Sequence, residues 1–171
     1  MTAVVLSIGS NVGDRLAYLQ SVLDGLGPAV RGVSPVYETD AWGGVEQGPF
    51  LNAVLIADDP SLNCHGWLRR GHELEQAADR KRERHWGPRT LDVDLITCQD
   101  GADEVWCEDE VLTLPHPYAH QRAFVLIPWL ALDPGATLPV GGASQPVAEL
   151  LAGLSAAERD GVRLVDHVLV S

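Results

Sequence analysis

Two aspartates, Asp92 and Asp94, stand two residues apart in the aliphatic segment LDVDL at residues 91–95. Successive side chains of a strand point to opposite faces, so both carboxylates project from one face and the aliphatic side chains enter the core. Hard oxygen ligands in this number suit Mg²⁺, which combines one or two carboxylates with water and phosphate oxygens. The motif is therefore compatible with a magnesium site, although on its own so short a pattern is more simply explained by an exposed strand face that holds two acids.

Cations are concentrated just before this pair. Seven of the 12 lysines and arginines lie between residues 69 and 89, and five of them lie in RKRERHWGPR at residues 80–89. Guanidinium groups match phosphate oxygens in shape and charge, so the cluster favours a polyphosphate ligand. A solvated helix end with cations near its C-terminus also fits. An arginine three residues before paired carboxylates sets phosphate ligands beside metal ligands, which is typical of phosphoryl transfer.

Aromatic side chains provide a third element of the candidate site. Trp42, Phe50 and Trp86 flank glycine or proline loops, and Phe124 follows an arginine by two residues. Such rings can stack on a flat heterocycle, although each of them also fits packing in a core or lid. Asn52 shares a strand face with Phe50, and its amide can recognise the donor and acceptor edge of a heterocycle.

His116 stands between two prolines in LPHP at residues 114–117. Contact with a phosphate and a purely structural role in the turn are both compatible with this setting. The phosphate-binding motif GxxxxGK[ST], the protein-kinase motifs, the GxSxG elbow and the HExxH metalloprotease motif are all missing from the sequence.

The composition restricts the class of protein. A length of 171 residues predicts a single domain, residues 1–171. The formal charge of −12 argues against nucleic-acid and anionic-membrane partners. We expect a cytoplasmic protein, because the chain has neither a signal peptide nor an apolar run that spans a bilayer. Three cysteines without a CxxC pair argue against a disulfide framework and a zinc knuckle.

Hydrophobic patterns predict strands at residues 4–8, 30–37, 50–57 and 91–98, and Pro35 breaks the second of them. Helices are predicted at residues 13–26, capped by Ser10 or Asn11, and at residues 61–78. The resulting order, β-α-β-β-α-β, is that of the split βαβ pattern, an antiparallel sheet with helices on one face. We expect a solvated loop at residues 100–110, a buried helix at 123–132 and a helical patch at 147–154. The role of the last ~35 residues is not predicted by any local pattern.

Several of these segments occur together in one known family. They are LSIGSN at 6–11, SPVYET at 34–39, FLNA at 50–53, WGPRTLDVD at 86–94, LPHP at 114–117 and RAFVL at 122–126. In this order the chain resembles the 6-hydroxymethyl-7,8-dihydropterin pyrophosphokinases of folate biosynthesis. The WGGVEQG loop and the high arginine content resemble actinobacterial members.

The resemblance implies a ferredoxin-like α+β fold and transfer of the β,γ-diphosphate of ATP to the hydroxymethyl group of the pterin, with two Mg²⁺ ions. It implies these roles: metal ligands Asp92 and Asp94; catalytic loop residues Arg80, Arg82 and Arg89; ATP contacts Glu75, Arg89, His116 and Arg122; pterin contacts Thr39, Trp42, Phe50, Asn52, Trp86 and Phe124. ATP and the pterin are the expected partners, with no obligate protein partner. We also expect polyphosphate to order residues 79–84.

Two alternatives belong to other functional classes. A metal-dependent nucleotide hydrolase would use the same Asp92–Asp94 pair, but it would need neither Asn52 nor the stacking aromatics. A non-enzymatic ligand-sensing domain of ferredoxin-like fold would have no need for paired acids beside five cations. The dependence of nucleotide turnover on a pterin distinguishes all three.

Overall fold

The computed structural model describes residues 2–41, 47–78 and 90–171. Its strands are β1 Thr2–Ser10, β2 Val30–Val33, β3 Tyr37–Thr39, β4 Phe50–Asp59, β5 Asp92–Asp100, β6 Asp103–Glu104, β7 Cys107–Glu108, β8 Thr113–Leu114, β9 Thr137–Val140, β10 Ala143–Pro146 and β11 Val162–Leu164. Its helices are α1 Arg15–Leu26, α2 Cys64–Ala77, α3 Ala123–Leu132, α4 Val147–Ala152 and α5 Ala156–Asp160. Short 3-10 turns cover Gly27–Ala29 and Ala119–Gln121.

An antiparallel sheet with β1 in its interior organises the fold. Within the described ranges its order is β11-β3-β4-β1-β5-β6, and β2 also pairs with β4. The predicted break at Pro35 in the strand at residues 30–37 is present, and it divides this segment into β2 and β3, because Pro35 has no N–H to donate to a ladder. When β2 and β3 are counted together, the predicted β-α-β-β-α-β order and the mixed α+β class are confirmed.

Each face of the sheet has its own apolar core. Leu6 of β1 and Leu55 of β4 pack with α1 and α2 on one face. Val54 of β4 and Ile96 of β5 pack with α3 and the β9–β10 hairpin on the other face. The expectation of helices on one face is therefore incomplete, because the carboxy-terminal third covers the second face and adds β11 to the sheet edge beside β3.

Two local predictions are wrong in detail. Helix α1 is capped by Asp14, whose carboxylate accepts a hydrogen bond from the Ala17 N–H at 3.1 Å, because β1 continues through the expected cap Ser10. The acidic segment 100–110 is solvated as expected, but it is not a loop throughout. It contains β6 and β7, which pair with β5 and β8.

Cys64 and Cys98 form a disulfide across 34 residues, with their Cα atoms 6.2 Å apart. The argument against a disulfide framework is therefore corrected, since one disulfide is present and Cys107 is the free cysteine. Cys64 begins α2, and α2 packs against β5, which carries Cys98. The pairing thus depends on helix–sheet packing, which the spacing of cysteines along the sequence does not reveal.

No helix in the described ranges is long and apolar enough to cross a bilayer.

Candidate active site

The two aspartates stand where β5 begins, beside the end of β1. Asp94 pairs with Ser7, and Asp92 pairs with Gly9. Both aspartates are half-buried, whereas Val93 between them is buried in the core below α2. The alternation predicted for LDVDL is thus present, and both carboxylates lie on the sheet face opposite α1 and α2.

Glu75 fixes the backbone of this pair. Its side chain is 2% exposed, and Oε2 accepts a hydrogen bond from the Val93 N–H at 3.0 Å. Asn63 caps the start of α2 by accepting from the Gly66 N–H at 2.8 Å, and Glu75 lies in the last turn of the same helix. A buried carboxylate therefore holds the strand at the position from which both aspartates project.

A cavity of about 280 Å³ opens beside the aspartates. Residues Glu75 and His72 of α2 form one wall, and residues 111–113 with His116 form another. Strand β6 pairs with β5 only at Gln99 and Asp100 among the described residues, so the edge of β5 next to Asp92 borders this space. The cavity thus combines carboxylates with histidine rings. The carboxylates can bind a cation, and the ring N–H groups can donate to phosphate groups around it.

Arg122 connects the aspartates to the aromatic part of the site. Its Nη1 lies 3.8 Å from Asp94 Oδ2, and its guanidinium carbon lies 5.3 Å from the Phe124 ring centroid and 5.4 Å from that of Tyr118. Burial lowers the pKa of Arg122, while Asp94, Asp92, Tyr118 and Glu158 raise it. A buried guanidinium between acids and rings is held as a fixed positive charge beside Asp94.

His116 is a neutral hydrogen-bonding group at the same cavity. Burial, and then the charge of Arg122, lower the pKa of His116 to about 4, against an opposing contribution from Asp92. The Tyr118 N–H donates to His116 Nδ1 at 3.2 Å, which places the ring proton on Nε2. The His116 N–H donates to the Ile96 carbonyl at 2.9 Å and ties the turn to β5.

The predicted pterin contacts gather at the start of β4. Asn52 is 4% exposed, and its Nδ2 donates to Thr39 Oγ1 of β3 at 2.5 Å. Gly9 lies opposite Asn52 on β1, and a Cβ atom there would stand 2.4 Å from Asn52 Oδ1 and 3.4 Å from the Phe50 ring. Glycine at this position leaves the amide and the ring their space on the shared face.

Phe124 and Thr39 line a small cavity of about 70 Å³ together with Glu158. Glu158 comes from α5 in the carboxy-terminal tail, and its Oε1 accepts a hydrogen bond from the Ala123 N–H at 3.1 Å. The carboxylate stands at the start of α3, where unpaired N–H groups and the helix dipole favour negative charge. The carboxy-terminal tail thereby holds the backbone between Arg122 and Phe124 in place.

The structure thus joins the described candidates into two neighbouring groups. Glu75, Asp92, Asp94 and His116 share the first cavity. Thr39 ends β3 beside Phe50 and Asn52 at the start of β4, and Arg122 with Phe124 stands between the two groups. Trp42, Arg80, Arg82, Trp86, Arg89 and the loop expectation for residues 79–84 lie outside the described residues.

Sequence reasoning missed several residues of the site. Tyr118 and Glu158 contact the Arg122 region, and residues 111–113 line the cavity beside Asp92. Tyr118 could have been found from its position directly after LPHP. No local sequence pattern indicates a role for Glu158, because its hydrogen-bond donor, the Ala123 N–H, lies 35 residues away along the chain.

Comparison with known proteins identifies one matching family. The family model of 7,8-dihydro-6-hydroxymethylpterin-pyrophosphokinase (HPPK) matches residues 5–134. A Mycobacterium tuberculosis protein named 2-amino-4-hydroxy-6-hydroxymethyldihydropteridine pyrophosphokinase is 61% identical over 169 residues, covering 96% of this chain and 90% of that protein. A Mycobacterium leprae protein of the same name is 58% identical over 175 residues, covering 99% of this chain and 92% of that protein.

A solved structure has the same fold. Plasmodium falciparum HPPK-DHPS with pterin and p-hydroxybenzoate superposes with a TM-score of 0.66 at 12% sequence identity, over 88% of this chain. The matched part is 42% of that longer chain, so this chain spans less than half of its length. The match over residues 5–134 and the identity to mycobacterial relatives show that this chain belongs to the HPPK family.

Proposed function

We propose that this chain is a 2-amino-4-hydroxy-6-hydroxymethyldihydropteridine pyrophosphokinase. It transfers the β,γ-diphosphate of ATP to the hydroxymethyl group of 6-hydroxymethyl-7,8-dihydropterin, releasing AMP and the pterin diphosphate for folate biosynthesis. The observation that supports this most directly is Arg122, which reaches the carboxylate of Asp94 on one side and the ring of Phe124 on the other. The Arg122 guanidinium thus stands between the proposed phosphate site at Asp94 and the proposed pterin site at Phe124.

The donor set at β5 suits Mg²⁺. Asp92 and Asp94 supply hard oxygens from one strand face, and the cavity beside them leaves room for phosphate oxygens. We propose that they hold two ions. When bound, the metal neutralises phosphate charge and lowers the pKa of the attacking hydroxyl. Glu75 contributes by fixing the backbone between the two ligands.

The remaining groups act by position and charge. Arg122 offsets negative charge on the transferring diphosphate, and His116 donates from Nε2 to a phosphate oxygen. We propose that Arg80, Arg82 and Arg89 add cations around the leaving AMP and the polyphosphate. No strong covalent nucleophile is required, because the pterin hydroxyl attacks the β-phosphorus directly once both substrates are aligned.

The pterin is proposed to bind at the start of β4. Asn52 and Thr39 offer an amide and a hydroxyl for its polar edge, and Phe50 and Phe124 offer ring faces. Trp42 and Trp86 are proposed to complete the pocket. The Asn52–Thr39 hydrogen bond orients the amide before substrate arrives.

Location and organisation are further parts of the proposal. We infer one domain over residues 1–171 that works on ATP in the cytoplasm without an obligate protein partner. In that compartment the Cys64–Cys98 disulfide is exposed to thiol reductants that can cleave it. Cys98 is fully buried and Cys64 is 8% exposed, so a reductant reaches the bond through local opening of α2.

The test is to identify the nucleotide product. Chromatography of a reaction with ATP, Mg²⁺ and the pterin should give AMP in step with a diphosphorylated pterin, and no AMP without the pterin. Asp94→Asn should lower turnover at least about 100-fold, because several kcal/mol of charge stabilisation are lost. Asp100→Asn, at the other end of β5, is the matched control. ADP as the product, or AMP without a pterin, would falsify the proposal.

A further inference from the structure

Three side chains of different chemistry converge away from the candidate active site. They are His65 near the start of α2, Cys107 in β7 and Asp109 in the turn that follows β7. Their ligand atoms all lie within 4.8 Å of one another. His65 Nε2 stands 2.7 Å from Asp109 Oδ2, and Cys107 Sγ stands 3.5 Å from that oxygen and 4.0 Å from the same nitrogen.

From this geometry we propose a zinc site formed by His65, Cys107 and Asp109. A tetrahedral zinc ion with ordinary bonds holds nitrogen, oxygen and sulfur ligands about 3.3–3.8 Å apart. The sulfur–oxygen distance already falls in this range, and the other two need shifts of roughly half an ångström. His65 and Asp109 are exposed side chains, so these shifts need no repacking of the core.

The ligand set selects the class of metal. An imidazole, a thiolate and a carboxylate suit Zn²⁺ and similar borderline-soft ions, whereas Mg²⁺ takes oxygen ligands. The site is thus chemically distinct from the Asp92–Asp94 pair. On metal binding, the thiol proton of Cys107 would pass to solvent, and the proton between His65 Nε2 and Asp109 Oδ2 would leave Nε2 for Nδ1 or solvent, so that sulfur–metal and nitrogen–metal bonds can form. Three protein ligands and an exposed setting leave the fourth position to water.

The carboxylate is already oriented for this role. Asp109 Oδ1 accepts hydrogen bonds from the Val111 N–H at 2.9 Å and the Leu112 N–H at 2.8 Å, which leaves Oδ2 facing the other two ligands. Groups behind a ligand that fix its direction are a regular feature of metal sites. Bound zinc would therefore join the start of α2 to the β7–β8 hairpin, whose residues 111–113 also line the cavity beside Asp92.

Co²⁺ is the probe, since a cobalt–thiolate bond gives a charge-transfer absorption that reports sulfur directly. The full chain is titrated with Co²⁺ in excess Mg²⁺, which occupies oxygen-only sites. We expect one equivalent with a thiolate band, and Zn²⁺ should abolish that band by displacing Co²⁺. Absence of the band in the parent protein would overturn the proposal.

Variants separate this site from adventitious binding. Cys107→Ser should remove the band, and His65→Ala should weaken Co²⁺ binding by at least about 100-fold, because even an outer residue of a metal site is worth 10- to 100-fold. Asp109→Asn should weaken binding while its remaining oxygen still accepts from Val111 and Leu112. His167→Ala, an exposed histidine elsewhere, is the matched control and should bind as the parent does. Unchanged affinity in His65→Ala would show that the cluster is an ordinary surface ion pair.

Discussion

Glu75 and Val93 are joined by a buried hydrogen bond of 3.0 Å between the carboxylate and the backbone N–H. Val93 is the residue that separates Asp92 from Asp94. The last turn of α2 therefore fixes the position of the first residues of β5, which carry the proposed metal ligands. A change at Glu75 can thus displace both aspartates through the backbone of Val93.

Glu75→Ala should weaken both the fold and the proposed metal site. It leaves a buried N–H unpaired, which costs about 1–3 kcal/mol. The free energy of unfolding and the apparent Mg²⁺ affinity in turnover assays should both decrease. Glu75→Gln keeps an acceptor and should recover most of the loss, and the exposed Glu73→Ala in the same helix should change neither quantity. Unaltered Mg²⁺ dependence in Glu75→Ala would contradict a positioning role.

Gly9→Ala should impair pterin binding selectively. The new methyl group would stand 2.4 Å from Asn52 Oδ1, so the amide must move and its bond to Thr39 must change. We expect the pterin Kd to rise at least about tenfold, equivalent to ~1.4 kcal/mol, with little change for an ATP analogue. Calorimetric titration with each ligand measures this.

The matched control for that change is Gly135→Ala. A Cβ atom at Gly135 has its nearest neighbour 3.8 Å away, in Asp133. This variant should bind both ligands as the parent does. Equal loss of pterin and nucleotide binding in Gly9→Ala would indicate general misfolding of the strand instead of a local effect on Asn52.

His116 should remain neutral in the folded protein down to about pH 5, because burial and Arg122 lower its pKa to about 4. Its ring-proton NMR signals, assigned by their loss in His116→Gln, should stay constant from pH 8 to pH 5. The urea-unfolded chain should titrate near ~6.5 and provides the reference. A folded-state midpoint at or above the reference value would show that the ring is solvated.

The same pKa difference links stability to pH. Below about pH 6.5 the unfolded chain binds a proton at His116, whereas the folded chain binds it only near pH 4. The contribution of His116 to the free energy of unfolding is therefore fully present above pH 6.5 and declines through this window. Urea unfolding at pH 7.5 and pH 4.5 should show a smaller decline in His116→Gln than in the parent.

Glu158→Ala should destabilise the start of α3. Its carboxylate accepts the Ala123 N–H and acts as a cap supplied by the tail. Loss of a cap costs about 1 kcal/mol, or ~2–4 °C in Tm for a chain of this size. Glu158→Gln should retain most of the stability, and Glu149→Ala, which removes an acid from the first turn of α4, should lose less than Glu158→Ala. A Tm for Glu158→Ala equal to that of the parent would show that solvent replaces the cap.

Local pattern was sufficient for much of the fold. The alternation in LDVDL predicted which side chains of β5 enter the core, and leucines at helical spacing predicted α1. These inferences succeed because the period of a strand or helix depends on the backbone alone. The aspartates, Asn52 and Phe50 were accordingly placed on the correct strand faces from sequence.

Other features depend on which elements become neighbours. Cys64 meets Cys98 because α2 lies on β5, and Glu158 meets Ala123 because the tail returns to the sheet edge. Both pairs are more than 30 residues apart, and periodicity says nothing about such contacts.

The electrostatic state of the site is also a tertiary property. Free histidine has no reason to remain neutral at pH 5, and it does so here because burial removes water and Arg122 adds positive charge. The sequence by itself determined the family, the strand faces and the residue types available for chemistry. Packing of α2, α3 and the tail against the sheet decided their partners, their burial and their charge, since solvation and Coulomb energies depend on distances in space.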